Sequence, residues 1–201
     1  MSGTENDPEG SEQNMNRARR VAVGVAVAAI AAAGAGVAAG AATAAPQAAQ
    51  TPNADQQLAS DQGGVPEPIR VPDGYRRIAS MQSRGVQTYQ CTNGAWTFLQ
   101  PDAILQFNGR AQVLHTRGPV WTSVVDGSSV TGTVVASAPQ PDAIPELLLS
   151  STANRGPGLL AEVRYIQRLD TTGGLSPTGA CTEGVTASVP YTADYTFWVR
   201  A

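Results

Sequence analysis

The sequence predicts an all-β fold, an antiparallel meander of hairpins that closes into a β-sandwich or a barrel. Three observations lead there. From Tyr75 onward, β-prone runs alternate with turn signals and no helical period is sustained. Asn93-Gly94, Asn108-Gly109 and Asp126-Gly127 sit between such runs, and these dipeptides accept the positive φ angles of tight hairpin turns. All eleven aromatic residues lie at or beyond position 75, so the apolar area able to offset chain entropy is concentrated there.

The chain of 201 residues divides accordingly into an export signal (1–44), a flexible polar tether (45–64) and a single all-β domain (65–201). "MNRARRVAVGVAVAAIAAAGAGVAAGAATAA" has the arginine-led start, apolar run and small-residue end of an export signal, and a start at Met15 gives that signal an ordinary length. A retained membrane anchor is the rival, since 21–45 is long enough to span a bilayer, although alanine and glycine dominate it. Both readings put the domain outside the cytoplasm, secreted or in the cell envelope, because the arginines stay inside.

Within the domain each turn implies a register. A two-residue loop at Asn93-Gly94 pairs Cys91 with Trp96 and Tyr89 with Phe98, four side chains on one face that reads as core. The same rule at Asn108-Gly109 pairs Ile104 with Val113 and sets Asp102 against His115. Further strands are expected at 76–83, 144–152, 162–169 and 188–199, about ten in all. Pro145 and Pro190 lack an N–H and imply edges or bulges. The stretches 139–141, 154–158 and 170–184 read as loops.

Cys91 and Cys181 are the only cysteines, and an exported domain favours their joining as a disulfide over free thiols or a metal pair. Residues 65–201 carry ten acids and ten arginines, a balance without the cationic surplus that nucleic-acid binding needs. There is no lysine, which removes Schiff-base chemistry. One histidine and two distant cysteines give no metal-ligand spacing, and no cofactor motif is present.

"GVQTYQC", "H-x-x-G-P-x-W", "DGS-x-V-x-G", "YIQRLDTTGG" and "VPYTADYTFW" follow one another in this order. In combination they resemble the secreted proteins grouped as domain of unknown function 3455, over about 71–198. That resemblance implies an exported β domain and no particular activity.

His115 is the chain's only histidine. It reads either as a general base oriented by Asp102, with Ser123, Ser128 or water as nucleophile, or as a structural partner of Asp102 within the sheet, the preferred reading. No nucleophile motif accompanies it. The aromatic residues suggest a binding surface instead: Trp121 after the stiff Gly118-Pro119 step, and Tyr191 and Tyr195 in the last strand. Arg117 and Arg168 would act as orienting donors, with Asp126 nearby. The bland reading of those rings is core. Gly173-Gly174 reads as a sharp turn more readily than as a ligand approach. The expected function is a monomeric ligand-binding or cell-envelope surface module, for a glycan or another small molecule. A hydrolase-like enzyme on His115 and Asp102, or a structural protein-contact module, are the alternatives. Membrane contact would run only through an uncleaved N-terminal segment.

Overall fold

A computed structural model describes residues 61–201; the expected export signal, the alternative start at Met15 and most of the expected tether lie outside the described residues. Eight antiparallel strands follow a short 3-10 helix at Glu67–Ile69: β1 (Tyr75–Thr92), β2 (Ala95–Phe107), β3 (Arg110–Thr116), β4 (Val120–Ser123), β5 (Ser129–Gln140), β6 (Ala143–Arg155), β7 (Tyr165–Gly173) and β8 (Thr186–Arg200). Each pairs with the next, and β8 returns to β1, so the sheet is a closed barrel. The choice between sandwich and barrel is thereby settled as a barrel.

Eight strands, six of them of nine residues or more, replace the ten short ones expected. Bulges are the reason, since each lets a strand bend around the barrel without ending. β1 runs unbroken for 18 residues through a segment that reads as two strands in the sequence. Gly85 lies where β1 runs close against β2: a Cβ there would collide with the Asp102 carbonyl oxygen. Pro145 sits beside an irregularity between β6 and β7, as expected of a bulge. Pro190 is not on an edge, because a closed barrel has none; its carbonyl accepts from Gly174 N, just beyond the end of β7. Pro139 and Gln140 belong to β5, so only 141–142 turn.

The Asn-Gly turns form as predicted, with positive φ at Asn93 (54°), Gly94 (75°), Asn108 (49°) and Gly109 (73°). Cys91 faces Trp96 and Tyr89 faces Phe98. That face is only partly core: Cys91 and Tyr89 are buried, Trp96 is half-buried and Phe98 is 55% exposed. Phe98 lies where the barrel opens. The second hairpin departs from the expected register. Gln106 pairs with Ala111 but Leu105 pairs with Val113, so Gln112 is an extra residue on β3. Beyond this bulge Ile104 faces Leu114, and Ala103, not Asp102, faces His115. The third turn also differs, because Asp126-Gly127 lies in a longer loop, 124–128, with positive φ at Gly127 but not at Asp126.

Alternation along β8 builds two cores. Tyr191, Ala193, Tyr195, Phe197 and Val199 point inward to a cluster with Leu105, Val113, Ile166 and their neighbours. Trp198 points outward yet is fully buried, packed with Val65, Ile69, Val71 and Leu148. Its Nε1 donates to Gln167 Oε1 (3.0 Å), while Gln167 Nε2 donates to the Ile69 carbonyl (2.8 Å). Gln62 joins this network, accepting from Val71 N at 2.6 Å.

The two ends of the barrel differ. At one end, 156–164 folds in and seals the interior with Leu160 and Val163, both fully buried. The other end carries the 93–94, 117–119, 141–142 and 174–185 connections. There the disulfide Cys91–Cys181, Cα atoms 5.8 Å apart, ties the longest connection to the tip of β1. Tyr89 Oη holds the start of the same connection, donating to the Gly174 carbonyl at 2.6 Å.

Candidate functional site

Eight strands enclose an interior wide enough for side chains or one small ligand. Toward the unsealed end the side chains leave a cavity of about 370 Å³. Register places its walls. His115 and Trp121 are direct cross-strand partners on β3 and β4, and their rings stack at 4.3 Å between centroids and 5° between planes. Tyr195 meets both rings edge-on, at 5.3 and 5.8 Å. Gly132 of β5 makes room for the indole, since a Cβ there would stand 3.3 Å from Trp121 Cζ3. Phe98, Pro101, Val134, Leu147 and Leu149 supply most of the remaining wall, which is mainly apolar.

The polar groups are fewer and mostly donors. His115 Nδ1 lies 3.1 Å from the Val120 carbonyl oxygen, a contact that requires the proton on Nδ1. Burial pushes the imidazole pKa down to about 4, against the smaller upward effect of that hydrogen bond, so His115 is neutral at neutral pH. Arg168 enters from β7 between its partners Leu147 and Tyr195. Its Nε and Nη2 both donate to the Pro145 carbonyl, at 3.1 and 2.7 Å. Among the described residues it forms no ion pair. Its charge bears on Tyr89, Tyr191 and Tyr195, partly offsetting the burial that pushes all three hydroxyls up. Trp121 Nε1 and Gln87 Nε2 are buried and have no hydrogen-bond partner among the described residues. Such orphan donors are rare and costly in folded proteins.

The sequence-predicted residues divide cleanly. His115, Arg117, Trp121, Arg168 and Tyr195 line this one cavity. Tyr191 lies beside it, its hydroxyl 3.4 Å from that of Tyr195, but is not part of the lining. Asp102 is excluded from a pair with His115: the Gln112 bulge turns it to the outer surface, where it accepts from Gln100 Nε2 at 2.8 Å. Asp126 belongs to the sealed end. Its carboxylate accepts from Ser128 Oγ (2.6 Å), Ser128 N and Leu159 N, bonds that hold it well below the usual carboxylate range. Ser123 and Ser128 are occupied there too, accepting from backbone N–H groups of 125, 126 and 160. Gly173 and Gly174 both have positive φ and press against β8, the behaviour of a sharp turn. Among the described residues no three His, Cys, Asp or Glu side chains gather as metal ligands.

Gln87 was missed by sequence reasoning, although its parity with Tyr89 and Cys91 on β1 marks it as inward-facing. The bulged Leu99 gives no such signal.

Searches of curated proteins and of solved structures returned no match to the chain. A family model does match, over residues 107–199, from the end of β2 almost to the end of β8. This span holds His115, Trp121, Arg168 and Tyr195, and over it the chain is similar to the family described as protein of unknown function, DUF3455.

Proposed function

We propose that this chain is an exported binding module whose β-barrel takes up one small, largely apolar molecule through its unsealed end. The observation that carries the reading is the cavity itself, with the stacked His115–Trp121 pair, Tyr195 and aliphatic walls around about 370 Å³. Volumes of this order suit small-molecule ligands, and such sites combine apolar walls with a few oriented polar groups. The mainly apolar lining favours such a ligand over a glycan. The disulfide supports a location in an oxidising, extracytoplasmic space. A closed barrel exposes no strand edge for pairing, which supports a monomer.

A hydrolase reading lacks its parts in this geometry. Among the described residues His115 has no carboxylate partner, and both serines considered as nucleophiles are engaged at the sealed end.

The test is a titration with N-phenyl-1-naphthylamine, a neutral apolar dye that fluoresces on leaving water. The expected result is a saturable one-site enhancement that is lost in Leu147→Trp, which fills the cavity from β6. No enhancement, or one unchanged in that variant, would rule the cavity out as the binding site.

A further inference from the structure

We propose that the ligand of this cavity is an apolar acid whose carboxylate is held by Arg168, with the N–H groups of Trp121 and Gln87 as further donors to it. The inference deepens the cavity reading and rests on it. Three independent features converge. Arg168 is a cation on the inner wall of a barrel, flanked in register by Leu147 and Tyr195, and no acidic side chain among the described residues pairs with it. Two donors on other strands, Gln87 Nε2 on β1 and Trp121 Nε1 on β4, are buried without a partner at hydrogen-bond geometry, although Gln87 lies close enough to Tyr191 to bear on its hydroxyl. Gln87 and Trp121 are 2% and 1% exposed, and both line the cavity together with Arg168. A site that gathers a cation and two buried N–H donors, with no acidic side chain in its lining, is complementary to a group that only accepts, and a carboxylate is such a group.

The shape of Arg168 adds to this. Its guanidinium is anchored through Nε and Nη2 on the Pro145 carbonyl, so its plane is fixed before any ligand arrives. A planar, preoriented fork suits a carboxylate better than a point charge would. His115 adds no competing charge, being neutral with its Nδ1 proton committed to Val120. Asp102 is the acid whose charge reaches the imidazole, but its side chain lies on the outer surface. The aliphatic wall of Val134, Leu147 and Leu149 is left for the apolar body of the ligand.

The experiment is calorimetric titration of the mature, oxidised chain with 2-naphthoate and with 2-naphthamide, a neutral analogue of the same shape. The wild type is expected to bind naphthoate about tenfold or more tightly than the amide, the scale of one charged hydrogen bond. Arg168→Gln should remove that preference, while Arg168→Lys, which keeps the charge, should retain part of it. Thermal melts of both variants report whether each has folded, and the wild-type comparison stands even where a variant has not. Equal affinities in the wild type, or naphthylamine dye binding without naphthoate binding, would overturn the acid-head inference and leave the cavity reading intact. Failure of all three probes would overturn both.

Discussion

Acidification should destabilise this barrel through the burial of one imidazole. His115 is 3% exposed and stacked between Trp121 and the wall of the cavity, and burial lowers its pKa from 6.5 to about 4. The unfolded chain therefore binds a proton at a pH where the folded chain does not. A folded pKa below the unfolded one gives stability that is complete above about 6.5 and falls as pH drops toward 4. The shift of about 2.5 units, at 1.36 kcal/mol each, sets the full loss at about 3 kcal/mol. Asp126, whose pKa is also depressed, loses its contribution at lower pH still, so the two are separable. Urea unfolding at pH 7.5 and pH 4 should be compared for the wild type and His115→Phe, which keeps an aromatic ring against Trp121 but does not titrate. The wild type is expected to lose about 3 kcal/mol more than the variant across that interval. Parallel losses in the two proteins would refute the claim that His115 is buried in its neutral form.

Other consequences follow from the same geometry. Replacing Cys91 and Cys181 by serine frees a loop spanning 90 residues and should cost about 4–5 kcal/mol at most in the chain-entropy model, read as a lower melting temperature that reductant no longer affects. Gly85→Ala should destabilise the barrel by about 3 kcal/mol or prevent its folding, because the new Cβ meets β2 backbone that cannot retreat; a melting temperature near that of the wild type would show that β1 and β2 are farther apart than described. Asp102→Asn should leave the NMR titration of His115 nearly in place, since Asp102 is the least of the influences on it; a clear downward shift would restore the carboxylate–imidazole pair.

Local chemistry made much of this molecule legible. Asn93-Gly94 and Asn108-Gly109 announced their turns because few other dipeptides tolerate two successive positive φ values, and Cys91 then paired with Trp96 as counted. The site was half legible. His115, Trp121, Arg117, Arg168 and Tyr195 were identifiable as candidates by residue type, and barrel closure brought them together. What failed was the count across a bulge. Gln112 carries no signature that separates it from its neighbours, yet its insertion moved His115 from Asp102 to Ala103 and replaced a charged pair with an aromatic stack. Asp126 misled for a related reason. Ser128 bonds it from two residues away, but Leu159 meets it only once 156–164 folds back over the barrel, a long-range event that local sequence does not encode.

The most direct test of the central claim is a crystal structure of the oxidised domain soaked in 2-naphthoate. The naphthyl ring is expected against Leu147, Leu149 and Val134, with carboxylate oxygens within hydrogen-bond distance of Arg168 and of Trp121 Nε1 or Gln87 Nε2. A cavity holding only ordered water, with those N–H groups bonded to it, would show that the barrel does not hold an acid there.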